Sequence, residues 1–245
     1  MKSLICALSF LTPIPVSTQK LEKTEFSKSL AWFSLVGLLQ GILVCAVFFG
    51  LSKVFGNIVV SVLTVAFWAF VTSGMHLDGL ADCFDGFFAV ANREKRLEIM
   101  KDPRIGTFGF LGLIFVILIK ISLVNSLVFE NIWSLTPILL AMVFARSASL
   151  ALVFFKNARN QGLGFGITDE KSWLYFLVNL LIPAGLCFYF GWHAVIAFGV
   201  SFVVSALVGW LSMSKIGGVT GDVFGMAIEM SEIAVLLTFA LKLVA

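Results

Sequence analysis

The sequence predicts an all-α, polytopic bundle of about seven transmembrane helices with its N-terminus in the cytoplasm, and three observations carry that expectation. Of the 245 residues, 60% are hydrophobic and only 13% charged, with a mean hydropathy of +1.04; soluble domains carry roughly 25% charged residues. Runs of about 20 apolar residues, enough to cross a hydrocarbon core as helix, recur along the whole length. These runs are continuously apolar, whereas the strands of a membrane barrel would alternate at every second residue.

The first segment, "MKSLICALSFLTPIPVSTQK", has a lysine and a short apolar run in the manner of a signal peptide. "TPIPVS" is a poor small-residue cleavage site, so the segment is expected to be retained at the membrane interface. Spans follow at 30–51, 57–76, 107–128, 132–155, 173–191, 194–213 and 224–244, the last interrupted by Glu229 and Glu232. The longer polar stretches, 18–29 and 92–107, leave little room for a separate module, and no internal repeat is evident. Residues 1–245 therefore read as a single integral membrane catalytic domain.

Orientation follows from the basic residues. With a cytoplasmic N-terminus, thirteen of the 17 lysines and arginines fall in inside segments, Lys53 and Lys242 outside, and Lys120 and Arg146 within spans, which is the positive-inside pattern. The same topology gathers "HLDGLADCFDGFFA", the loop after it and "KIGGVTGD" at the cytoplasmic face. Because the basic residues flank spans, the net charge of +3 gives no surface for nucleic acid. Cys6, Cys45, Cys83 and Cys187 lie far apart, without the spacing of zinc ligands or a disulfide framework, and read as packing residues.

Chemistry concentrates in three places. Asp78, Asp82 and Asp85, at i, i+4 and i+7, share one helical stripe, where like charges repel. A hard divalent cation would compensate them: magnesium takes one or two protein carboxylates and leaves its other positions to water and phosphate. The ordinary alternative is a solvated helix end paired with Arg93, Arg96 and Lys101. Gly79 and Gly86 each follow an aspartate, where a ligand or a neighbouring backbone could approach closely. His76 is either a ligand or an interfacial residue. In "REKRLEIMKDPRIGTFGFLG", Lys101 and Arg104 are candidates for phosphate oxygens, with topology and helix-surface ion pairs as the competing explanation.

The third place is "SKIGGVTGDVFGMAIEMSE". Its Gly217, Gly218 and Gly221 could fold around a phosphate at a helix N-terminus, and Asp222 could complete the metal shell. Arg146 inside a span calls for a partner or a polar cavity, and Lys120 poses the same question. "KNARNQGLGFG" adds a polar, glycine-containing loop that decides nothing alone.

In its order of blocks, "FLTPIPV", "HLDGLADCFDGFF", "RLEIMKDPRIGTFG" and "GGVTGDVFG", the chain resembles the cobalamin synthase family, the adenosylcobinamide-GDP ribazoletransferases. One departure is Pro13, where that family often has arginine. The resemblance implies a multi-pass enzyme of the bacterial inner membrane that joins adenosylcobinamide-GDP to alpha-ribazole, or its phosphate, releasing GMP with magnesium required. On that footing Asp78, Asp82 and Asp222 are expected to hold the metal, with Asp85 a further ligand or the base. Lys101, Arg104 and Arg146 would steady phosphate oxygens, and His76 and the glycines would line the substrate. Self-association and association with other corrinoid-pathway enzymes stay open.

Two other readings compete. A CDP-alcohol phosphotransferase would begin its motif with Asp78 and Gly79 but requires an arginine after alanine that "LAD" lacks. A cation transporter would place charge on broken helices near the midplane, often in two related halves, and neither feature is apparent in the sequence.

Overall fold

The computed structural model describes residues 2–13, 27–127, 132–159 and 172–241. The second half of "FLTPIPV" and most of "KNARNQGLGFG" lie outside these residues. Among the described residues the chain is helical, with no strand and one isolated parallel bridge, between Asn157 and Val219. In chain order the helices are α1 (Lys2–Leu11), α2 (Phe33–Ser52), α3 (Asn57–Val71), α4 (Met75–Phe88), α5 (Arg93–Ile99) and α6 (Thr107–Asn125). They continue as α7 (Thr136–Ser149), α8 (Ser172–Asn179), α9 (Leu181–Phe190), α10 (Trp192–Ile216) and α11 (Gly221–Ala240). Six segments among them are long and apolar enough to cross a membrane, and α3 with α4 makes a seventh if the bent pair is one span.

The expected span 57–76 needs correction. Its helix stops at Val71, and the chain turns 88° into α4. Ser73 and Gly74 make that turn with φ of 55° and 65°, a left-handed conformation that glycine adopts freely and serine does not. The carbonyl of Val71, freed at the helix end, accepts the side-chain amide of Gln40 from α2 at 3.2 Å. The aspartates thus lie on a helix of their own. The expected span at 173–191 is likewise two helices, α8 and α9, meeting at Leu180.

Lipid tails are as apolar as leucine, so helices in a membrane associate through close packing of small residues and through polar contacts. Both are visible at the bundle centre, where the spans containing α7 and α11 are 89% and 67% buried, against 11% for the span of α8 and α9. The exposed faces of the outer helices, including Phe188, Trp192 and Trp210, suit lipid. Between α2 and α7, a Cβ at Gly37 would lie 2.7 Å from the Met142 carbonyl oxygen, and one at Gly41 would lie 3.0 Å from Leu139. Helix α11 packs against α4, α6, α7 and α10.

Charge inside this centre is balanced. Lys120 of α6 donates to Glu229 at 2.6 Å and also to Glu232, while Arg146 of α7 donates to Glu232 and, at 3.1 Å, to Gln40. Trp68 donates its indole N–H to Glu232 at 3.1 Å, and Lys120 sits 4.9 Å from the centre of the same indole ring. All four ionisable side chains are buried. This network explains how two glutamates lie within an apolar run: two acids meet two bases through hydrogen-bonded ion pairs. Asp222, Gly225, Glu229 and Glu232 recur at helical spacing and so share one face of α11. Fixing the glutamates thereby fixes the direction in which Asp222 points.

Candidate active site

Helix α4 has two working faces. His76, Gly79, Cys83 and Gly86 form its buried face, and Asp78, Asp82 and Asp85 run along the adjacent one, Asp78 exposed and the others half-buried. The glycines on the buried face admit neighbouring helices. A Cβ at Gly79 would lie 2.8 Å from the Asp222 carbonyl oxygen and 2.9 Å from its Cα; the counterpart on α11, Gly225, meets the backbone of His76 at 3.0 Å. Two small residues thus let α4 and α11 cross in contact. That crossing brings Asp222 to the aspartate stripe, within electrostatic reach of Asp82. Gly86 makes room for Met100 and the carbonyl of Arg96 at the end of α5.

Asp85 is placed differently from its two neighbours. Its carboxylate oxygens accept the backbone N–H groups of Gly106 at 2.7 Å and Gly109 at 2.8 Å. These amides lie at the start of α6, where the first turn leaves donors without helical partners. Gly106 and Gly109 have no room for side chains because the Asp85 carboxylate occupies that space.

The glycine-rich turn before α11 is closed around the protein itself. Gly217 ends α10 with φ of 69°, and a Cβ there would sit 2.9 Å from the Arg93 guanidinium. At Gly218 it would strike the backbone of 156–158, which pairs with the turn through Val219 N–H to Lys156 O and Ala158 N–H to Val219 O, both at 2.9 Å. Of the three glycines expected to line substrate, Gly221 alone has open space beside it.

The candidate cations separate by position. Arg104 is exposed and grips Asp102 with two side-chain bonds of 2.9 and 2.7 Å. Those hydrogen bonds, with one from the Arg104 backbone N–H, hold the Asp102 carboxyl down at about 2. Lys101 is exposed on the same loop. Arg146 belongs to the buried network, and His76 lies within electrostatic reach of that network through Arg146, Glu232 and Lys120. Among the described residues no hydrogen bond or ion pair joins either of them to the aspartates.

The cation that does reach them is Arg159. Its Nη1 lies 3.5 Å from Asp222 Oδ2, and its Nη2 donates to Leu97 O at 3.3 Å. In the sequence it was one basic residue in an uninformative loop. The bridge that carries Lys156–Ala158 onto the turn before α11 brings it in, and no local pattern announces such a pairing.

Comparison with known proteins shows the family of the chain. The profile of the family described as Cobalamin-5-phosphate synthase matches residues 3–240. The chain belongs to the cobalamin-5-phosphate synthase family. Among its relatives is an Escherichia coli protein named adenosylcobinamide-GDP ribazoletransferase, 37% identical over 237 residues, which are 94% of this chain and 96% of that protein. A Klebsiella pneumoniae protein of the same name is 35% identical over 96% of this chain and 98% of its own. One from a Thermoanaerobacter species is 33% identical over 97% and 96%. No solved structure matches. Within this family, the expectation of a membrane-embedded transferase is met.

Proposed function

We propose that this chain joins adenosylcobinamide-GDP to alpha-ribazole, or to its phosphate, with release of GMP, as a magnesium-dependent multi-pass enzyme of the bacterial inner membrane. The observation that carries the reading is the surplus of negative charge where α4 meets α11. Asp78, Asp82, Asp85 and Asp222 influence one another there, and Arg159 is the cation in contact among the described residues. Carboxylates that crowd together at a membrane without compensation call for a cation from outside. The distribution of lysine and arginine supports a cytoplasmic position for the site.

The donor set fits magnesium. It consists of oxygens, from Asp78, Asp82 and Asp222 with the Thr220 hydroxyl bonded to Asp222 at 3.1 Å. Among the described residues no three His, Cys, Asp or Glu side chains are gathered tightly enough to hold a metal alone. Magnesium takes one or two protein carboxylates and completes its shell with water and substrate phosphate. Asp82 and Asp222, joined at the helix crossing, would be the core of that site, with Asp78 beside them. When bound, magnesium would neutralise charge on the diphosphate bridge.

In this reading the ribazole hydroxyl attacks the phosphorus bonded to cobinamide, the bond from that phosphorus to the GMP oxygen breaks, and GMP departs. Catalysis of such a transfer rests on positioning and charge neutralisation. Asp85 keeps one lone pair free on each oxygen and takes the hydroxyl proton, while its amide bonds tie the start of α6 to the site. Lys101 and Arg104 sit on the loop just before that start, and Arg104 would exchange Asp102 for a phosphate oxygen. The test is direct: purified protein in liposomes, given adenosylcobinamide-GDP, alpha-ribazole and magnesium, should release GMP. Absence of GMP with folded wild-type protein would overturn the reading.

A further inference from the structure

We infer that Arg159 is a substrate-binding residue, the guanidinium that receives the diphosphate of the GDP-linked substrate once the charge on Asp222 is neutralised; this rests on the proposed transfer reaction. Of the four arginines on α5, on the loop that follows it and on the 156–159 segment, three are held by other partners in this structure. Arg96 closes the end of α4, donating to the carbonyls of Gly86, Phe87 and Ala91. Arg93 lies over Gly217 and donates to Ala158 O at 3.4 Å. Arg104 is paired with Asp102 and 86% exposed.

Among the described residues Arg159 alone combines proximity to the acids with uncommitted donors. Its contact with Asp222, at 3.5 Å, is well beyond the 2.7–2.9 Å of a charge-assisted hydrogen bond, and the bond to Leu97 O is 3.3 Å. Its Nε is buried and has no partner among the described residues, which is costly for a charged group unless something else completes it. The side chain is held at the site yet 22% exposed, so a ligand entering the cluster can reach it. Its backbone support is firm, since the neighbouring residues pair with Lys156–Val219 main-chain bonds at 2.9 Å. A planar fork that can make two parallel bonds is suited to phosphate oxygens. In this structure one arm of the fork, Nη1, leans on Asp222 and the other, Nη2, on Leu97 O. The two roles therefore compete: whatever neutralises Asp222 frees Arg159 for substrate.

Competition makes a prediction of opposite signs. In Arg159→Ala, affinity for adenosylcobinamide-GDP, measured by calorimetry on purified protein with magnesium and without ribazole, should fall about 10- to 100-fold. Affinity for manganese, used as a paramagnetic probe of the metal site without substrate, should rise several-fold because a cation has left its vicinity. Arg159→Lys, which keeps the charge and loses the fork, should weaken substrate binding less and leave manganese affinity near wild type; it also serves if the alanine variant does not fold. Unchanged substrate affinity, or both affinities falling together as for structural damage, would overturn the inference while leaving the reaction intact. A wild-type protein that binds no adenosylcobinamide-GDP would overturn both.

Discussion

Helix α11 carries acids into two different settings. Glu229 and Glu232 sit in the buried centre, matched by Lys120 and Arg146; Trp68 donates directly to Glu232, and Gln40 accepts from Arg146. Asp222, two to three turns earlier on the same face, meets Asp78 and Asp82 with the guanidinium of Arg159 nearby. The first group is neutral as a whole and closed to solvent; the second is negative and open. Burial of charge in a membrane is tolerable when the protein supplies both signs. A group that supplies one sign leaves the other to a ligand. The comparison therefore separates acids that build the bundle from acids that serve chemistry.

The largest expected effect comes from breaking the neutral group. Glu232→Gln leaves the Arg146 guanidinium buried without its carboxylate, and orphaned buried charges cost about 3–5 kcal/mol. Thermal unfolding in detergent should show a protein largely lost, and adding Arg146→Met, which removes the orphan, should recover most of the loss. A stable single variant would mean the network is not structural.

Changing the open group should do the reverse. Asp82→Asn removes a charge from a surplus, so melting should hold or rise while GMP release falls at least about 1000-fold, the scale of losing a transition-state electrostatic contact. Near-normal turnover in the folded variant would sink the assignment of Asp82.

How much of this contrast could be read from the sequence depends on distance along the chain. The stripe of Asp78, Asp82 and Asp85 is a local pattern, and helical spacing alone gave it. Topology then placed "GGVTGD" beside it, because seven spans and a charge asymmetry leave few arrangements. Arg146 was a different matter: a lone arginine in a span looks the same whether it binds phosphate or neutralises a glutamate 86 residues away. The break at Ser73 was hidden because continuous hydrophobicity carries no record of an 88° turn. Asp85 looked like its neighbours by spacing, and the amides of Gly106 and Gly109 that distinguish it come from another helix.

The joint between the two groups offers a smaller effect. Gly79→Ala places a methyl 2.8 Å from the Asp222 carbonyl oxygen, on a backbone that cannot swing aside, and overpacking of this kind costs about 1–3 kcal/mol. Because the displaced residue is Asp222, turnover should fall by more than the stability loss explains. Gly221→Ala, one residue before Asp222 with open space beside it, should melt like wild type. Equal behaviour of the two variants would show that the crossing at Gly79 does not set the site.

The smallest effect belongs to a third acid, Asp102, which has a partner but lies outside the buried centre, beside an exposed arginine. Its carboxyl is drawn from 3.8 to about 2 by the hydrogen bonds from Arg104. A lowered value means that the pair stabilises the fold above pH 4 and loses that contribution as pH falls from 4 towards 2. Water screens both side chains, so the contribution itself is slight. Asp102→Asn should therefore leave the melting temperature at neutral pH unchanged within error, and the slight difference from wild type should vanish near pH 2. Arg104→Ala should likewise melt as wild type, with KM for the GDP-linked substrate raised only a few-fold. If either variant unfolds as Glu232→Gln does, pairing alone would set the worth of these acids. If both stay folded, the membrane's exclusion of water is what turns the same acid–base contact into a structural bond at Glu232 and leaves it incidental at Asp102.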